Sequence, residues 1–128
     1  MGVKIKIKHF DDQLEMSYRT FNEVRTTIAS TVDTTLGQIY EESLSHNNTD
    51  QFEQAIEEHI GNIGEIKGLD KDIMDFLLQR SDMGEINAVT CKKILDLISG
   101  IDLPQSVDGF FRKILKASYE CKQAVIWF

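Results

Sequence analysis

The spacing of apolar residues changes twice along this chain, from every second residue to every third or fourth and back again. Residues 3–8 alternate Val3, Ile5 and Ile7 with three lysines, which predicts a half-buried strand whose lysines face outward. Residues 124–128 are β-branched, aromatic and uncharged, which predicts a strand buried on both faces or nearly so. We expect the two strands to lie in one small sheet as neighbours.

Between the predicted strands the spacing is helical. The first apolar face contains Tyr18, Phe21, Val24, Ile28 and Val32, and we expect a break near Asp33 to Gly37 before the pattern continues. The chain has 128 residues, a common size for one domain, and neither a linker nor an internal repeat divides it. The predicted fold is therefore α+β and predominantly helical. It comprises five or six helices around one core, with a small sheet formed by the N- and C-terminal strands, in a single domain of residues 1–128.

The two cysteines indicate a reducing compartment. Cys91 and Cys121 are too few for a disulfide framework, and each falls on the apolar face of a predicted helix, where a free thiol packs as a small hydrophobe. Lysines interrupt the apolar residues at the N-terminus, so no secretory leader is expected. No apolar run approaches the ~20 residues that span a bilayer. The predicted location is the cytoplasm.

An acidic, glycine-containing segment at residues 81–91 joins two apolar helices, which is the outline of a calcium-binding EF-hand. Such a loop needs oxygen ligands at alternate positions and glutamate at the twelfth. Counting from Asp82, the third residue is Gly84, the fifth is Ile86 and the twelfth is Lys93, so the pattern fails. No metal site is predicted here.

The same segment is instead predicted to be a tight helix-joining turn. Gly84 would adopt a positive φ, and the side chain of Asn87 would cap the following helix. The residues of this predicted turn are Ser81, Asp82, Gly84, Glu85 and Asn87.

This part of the chain resembles a set of small bacterial and phage proteins of unknown function. In those proteins an apolar helix precedes the turn Ser-Asp-Cys-Asp-Gly-Glu, a cysteine-bearing helix follows it, and a short apolar strand often ends the chain. The present sequence lacks one residue of the turn, its cysteine and second acid, and the proline after the cap. The resemblance covers about the last 60 residues. It implies a shared helix-turn-helix core and a terminal strand, and it implies no activity. The matching residues are 76–78, 81–82, 84–87, Cys91, Ile94, Leu97 and 125–127.

The negative charge is concentrated in the middle of the chain. Residues 41–75 contain ten carboxylates and two lysines, whereas the remainder contains eleven acids and twelve bases. A field of that sign attracts basic partners and repels nucleic acid and anionic membranes. The sequence thus predicts a non-catalytic module, immunity-like or accessory, that docks a basic protein through a helical face. The predicted partner-binding residues are Glu41, Glu42, Glu53, Glu57 and Glu58.

Three alternatives remain open at this point. The acidic face can be an ordinary solvated surface. The chain can be a small metal-dependent enzyme that uses the carboxylates near Asp82 and Glu85, or a polar group near His9 and Asp12. It can also be a structural subunit of a phage or mobile element, with an oligomeric state that the sequence leaves undetermined. No catalytic residue and no cofactor are predicted, since the chain has no glycine-rich phosphate loop after a strand and no Cys-x-x-Cys pair.

Overall fold

The computed structural model describes residues 2–46, 49–64 and 71–128. In these residues six helices accompany a four-stranded antiparallel sheet, so the α+β, mainly helical prediction is confirmed. The elements in chain order are β1 (Gly2–Ile7), β2 (Gln13–Ser17), α1 (Tyr18–Val32), α2 (Thr34–His46), α3 (Thr49–Ile63), α4 (Lys71–Leu78), β3 (Gly84–Ile86), α5 (Ala88–Leu97), α6 (Asp108–Cys121) and β4 (Val125–Trp127).

The strand order of the sheet is β2-β1-β4-β3. The two terminal strands are neighbours, as predicted, with Ile5 opposite Trp127 and Ile7 opposite Val125. β2 and β3 were not predicted. β2 pairs with β1 after a short hairpin loop, and β3 extends the sheet beyond β4. The sheet is therefore twice as wide as the sequence indicates.

One face of the sheet is packed against helices and the other faces solvent. Val3, Ile5 and Ile7 are buried, whereas Lys4 and Lys8 are exposed, as the alternation predicts. β4 is less buried than predicted, because Ile126 lies on the outer face of the sheet and is only half-buried.

Three aromatic rings lie at the centre of the core. Trp127 of β4 lies 5.5 Å from the ring of Phe21 and 5.8 Å from that of Phe76, measured between centroids. These tilted and edge-on geometries are the ones that aromatic pairs favour. The indole N–H also donates to the carbonyl of Arg80 at 2.8 Å. The last strand is thereby joined to α1, α4 and the segment after α4.

A buried arginine holds the C-terminal end of α4. Arg25 of α1 is 1 % exposed, and its guanidinium donates to the carbonyls of Phe76 at 2.8 Å and Leu77 at 2.7 Å, as well as to that of Gln79. The last carbonyls of a helix lack partners within the helix and carry its negative partial charge, so a cation is favourable there. Burial lowers the pKa of Arg25, and neighbouring Tyr40 opposes this effect.

Side-chain caps fix the helix boundaries on which the surface below depends. The break predicted near Asp33 to Gly37 is confined to Asp33, because α1 ends at Val32 and α2, which includes Gly37, begins at Thr34. The Asp33 carboxylate accepts a 2.9 Å hydrogen bond from the N–H of Leu36 in the first turn of α2.

The sequence predicts that both cysteines pack on apolar helix faces. Cys91 is fully buried, as predicted. The prediction for Cys121 is wrong, because this last residue of α6 is exposed where the chain turns away through Lys122.

Candidate protein-binding surface

The five predicted partner-binding residues lie on two consecutive helices that pack against each other. Glu41 and Glu42 are on α2, whereas Glu53, Glu57 and Glu58 are on α3, and all five are exposed. We call these five residues the acidic surface.

The acidic surface has no lysine or arginine within its own stretch of sequence, because residues 26–66 contain neither. Within the described part of the chain, Glu41, Glu53, Glu57 and Glu58 make no ion pair. Glu53 and Glu57 stand one turn apart, so two like charges are neighbours on the same helix.

The carboxylates of three other helices are arranged differently. Each carboxylate of α1, α5 and α6 is ion-paired with a basic residue four positions away on its own helix. Such pairs stabilise a helix slightly and neutralise its surface. The pairs are Arg19–Glu23, Lys92–Asp96, Arg112–Asp108 and Lys116–Glu120. Glu41, Glu53, Glu57 and Glu58 therefore differ from the carboxylates of these three helices. On α4, Asp72 is ion-paired with Lys93 of α5, and Asp75 accepts a hydrogen bond from Gln79.

A polar contact fixes α3 beside the start of α2. The ring Nε2 of His59 lies 3.0 Å from the Asp33 carboxylate, the same group that caps α2. His59 is mostly buried, with 14 % of its side chain exposed. The two helices of the acidic surface are therefore held together by a specific group as well as by apolar packing.

An open groove of about 930 Å³ borders the acidic surface. Glu41 lies on one side of this groove, Glu23 and Asn22 of α1 line it, and Asp102 and Pro104 of the loop between α5 and α6 contribute to it. Arg19 also lines the groove and is ion-paired with Glu23, so Glu41 and Asp102 are the groove carboxylates that make no ion pair among the described residues. These two carboxylates and an apolar wall suit a long basic side chain with its methylene stem against the wall. Of these residues, only Glu41 was predicted as part of a site. The groove could not be predicted because its walls come from three separate parts of the chain.

The predicted helix-joining turn is wrong in one respect and confirmed in another. Gly84 is not in the positive-φ region; it begins strand β3, where it lies opposite Trp127. A Cβ at this position would lie 2.1 Å from Cζ2 of the indole, so glycine is required by a close approach rather than by backbone conformation. Asn87 does cap α5, since its side chain accepts from the N–H of Thr90 at 2.9 Å.

The other predicted turn residues have structural partners. Ser81 accepts a hydrogen bond from Arg25 at 3.4 Å and donates to Asn22 at 2.9 Å. Asp82 binds the Arg80 guanidinium through both oxygens, at 2.8 and 2.6 Å, and these hydrogen bonds lower the pKa of its carboxyl group. Glu85 lies 3.5 Å from Nζ of Lys8 across the sheet.

The polar group near His9 and Asp12 is a hairpin loop between β1 and β2. His9, Asp11 and Asp12 are all exposed, and His9 adopts a φ of 72° that turns the chain. Over the described residues, no three His, Cys, Asp or Glu side chains come together as a metal site, and no helix is both long and apolar enough to cross a membrane.

No protein-family model, curated protein or solved structure matches the chain.

Proposed function

We propose that this chain is a non-catalytic module that binds a basic protein through the acidic surface. The observation that carries the proposal is the contrast between helices. Carboxylates on α1, α5 and α6 have basic partners one turn away, whereas Glu41, Glu53, Glu57 and Glu58 on α2 and α3 have none among the described residues. Leaving like charges adjacent costs a few tenths of a kcal/mol per pair, a cost that mixed charges would avoid.

The groove beside Glu41 gives this proposal a specific point of attachment. A lysine or arginine of the partner would extend along Pro104 and place its charge beside Glu41 and Asp102, whereas Glu23 is already ion-paired with Arg19. Opposite charge speeds encounter and favours the cognate partner over neutral competitors. In its most specific form, the proposal is an immunity-like or accessory protein that neutralises a basic toxin or effector.

Two other functions receive less support from the geometry. An enzyme at residues 82–85 would need its carboxylates free and convergent, yet Asp82 is held by Arg80 and Glu85 lies beside Lys8. A structural subunit would need a self-complementary apolar surface. Among the residues whose burial the structure describes, the exposed large apolar side chains are instead spread over the hairpin loop, the segment before β3, α5, α6 and Phe128.

An affinity capture from host lysate at low salt tests the proposal. The native protein is compared with a Glu53→Lys/Glu57→Lys variant and with an Asp96→Lys/Glu120→Lys variant, which changes the net charge equally at another place. We expect one basic protein to be retained by the native chain and by the second variant, and to be lost with the first. If both variants retain the same proteins as the native chain, the acidic surface is only solvated.

A further inference from the structure

The two edges of the sheet differ in how their backbone groups are satisfied. At the β3 edge, the pairing with β4 leaves the N–H and C=O of Glu85 pointing outward. The side-chain amide of Gln79 bonds both of them, each at 2.8 Å, as a neighbouring strand would. This edge is therefore closed by the protein itself.

The register determines which groups of β2 point away from the sheet. The backbone N–H and C=O of Lys4 form hydrogen bonds with those of Phe128, at 2.9 and 3.0 Å. The backbone groups of the lysines in β1 therefore point toward β4. Val3 and Ile5 then bond toward β2, where they lie opposite Met16 and Leu14. The N–H groups of residues 13, 15 and 17 and the carbonyls of residues 13 and 15 consequently face outward.

These outward groups of β2 have no hydrogen-bond partner in the part of the chain that the structure describes. Gln13, Glu15 and Ser17, which carry these outward groups, are exposed, whereas Leu14 and Met16 between them face the core. β2 also contains neither lysine nor proline, the residues that commonly block an edge strand. An unblocked row of backbone donors and acceptors is a template for one more strand.

Charge and symmetry indicate which strand would pair there. Residues 9–18 include Asp11, Asp12 and Glu15, all exposed, and no lysine or arginine, while Lys4 of the neighbouring strand β1 lies directly opposite Glu15. In a two-fold pairing with a second copy, the register that uses all three outward-facing residues would place Glu15 opposite its own equivalent, and like charges directly opposite are destabilising. A basic residue opposite Glu15 would be favourable.

We propose that the open edge of β2 binds an extended, basic segment of another protein by strand addition. This site is separate from the acidic surface and does not depend on it. Backbone hydrogen bonds would supply the affinity, and Glu15 would select a lysine or arginine at the facing position.

Two substitutions at residue 15 separate the backbone contribution from the charge. Glu15→Pro removes an outward N–H that makes no bond to β1, so the β1–β2 ladder is retained. Glu15→Thr keeps that N–H and removes the carboxylate. Protection of the Leu14 and Met16 amides from hydrogen exchange verifies that β2 still forms in both variants.

The probe is a displayed library of linear eight-residue peptides selected on the native protein, followed by titration of one enriched peptide into ¹⁵N-labelled protein. We expect enriched sequences in which lysine or arginine alternates with apolar residues, and new amide protection at residues 13, 15 and 17. The peptide should bind about two- to fivefold more weakly to Glu15→Thr and at least about tenfold more weakly to Glu15→Pro. The Glu53→Lys/Glu57→Lys variant should bind it as the native protein does.

Three results would overturn the proposal. The first is a selection that enriches no peptide. The second is an enriched peptide that binds Glu15→Pro as tightly as the native protein. The third is a protein that has the mass of a dimer and whose amides at residues 13 and 15 are already protected before peptide is added. That result would show that a second copy of the chain occupies the edge.

Discussion

The indole of Trp127 lies against the α-carbon of Gly84 in the neighbouring strand, and the two residues are directly opposite each other in the sheet. A Cβ on Gly84 would meet Cζ2 of the indole at 2.1 Å and Cε2 at 2.4 Å. Because Trp127 also contacts Phe21 and Phe76, it cannot move without disturbing the centre of the core.

Gly84→Ala is accordingly expected to lower the free energy of unfolding by about 1–3 kcal/mol, the usual cost of overpacking a tight site. Urea denaturation followed by tryptophan fluorescence measures it. Gly109→Ala is the matched control: it lies in α6, its Cβ would meet nothing within 4 Å, and the change should be neutral or slightly stabilising. Equal effects of the two substitutions would contradict this role for Gly84.

Arg25→Met is expected to destabilise the protein by about 2–4 kcal/mol, because it leaves three buried or part-buried carbonyls at the end of α4 without their donor. Arg19→Met on the same helix removes an exposed arginine whose side chain is 90 % accessible, and should change stability by less than about 0.5 kcal/mol. The comparison is made by urea denaturation of both variants. Similar losses would show that Arg25 does not hold α4.

The two thiols are expected to differ in reactivity. Cys121 is exposed and should react with a disulfide reagent within minutes at about pH 8. Cys91 is buried, and burial raises the pKa of its thiol to about 11 despite a hydrogen bond with Ser118, so it should react only after unfolding. Counting reactive thiols with and without urea tests this difference, and Cys121→Ser should abolish the fast reaction. Two fast thiols in the native protein would contradict the burial of Cys91.

Stability is expected to fall at high pH because of Tyr40. Burial raises the pKa of Tyr40 from 10.0 to about 12, although the nearby charge of Arg25 acts in the opposite direction. The folded protein thus binds this proton more tightly than the unfolded chain does. The resulting stability is present below about pH 10 and is lost as the pH rises toward about 12, by on the order of 2 kcal/mol.

The Tyr40→Phe variant is the control, because it has no phenol to titrate and should lose this pH dependence of stability. Cys91 titrates in an overlapping pH range, but it is present in both proteins, so its contribution cancels in the comparison. The measurement is the free energy of unfolding from about pH 9 to about pH 11.5, within which roughly three-quarters of the loss should appear. A native protein and a Tyr40→Phe variant with parallel pH profiles would contradict the assignment.

The fold class could be predicted from local patterns, but the two edge strands could not. The alternation of Val3, Ile5 and Ile7 predicts a strand by itself, whereas β2 has only Leu14 and Met16 to indicate it and passes directly into α1. β3 has one core residue, Ile86, and its glycine suggests a turn until its partner Trp127 is known. Local sequence patterns do not show which residues that are far apart in the chain become neighbours in the fold.

The same limit applies to the candidate site. The exposure of Glu53 and Glu57 follows from the apolar face opposite them, so composition and helical spacing were sufficient. The groove beside Glu41 joins α1, α2 and residues 102–104, and no spacing rule brings these together. Arg25 did leave a signal, since it falls between Val24 and Ile28 on the buried side of α1. A charged residue on an apolar helix face indicates a buried partner.

The affinity of the captured basic protein for the native chain, measured by titration calorimetry at about 50 mM and about 300 mM salt, tests the central claim most directly. We predict a Kd that rises at least about tenfold with salt. At low salt the Glu53→Lys/Glu57→Lys variant should bind at least about tenfold more weakly, and the Asp96→Lys/Glu120→Lys variant should stay within about threefold of native. A Kd that neither salt nor the first variant changes would contradict binding through the acidic surface.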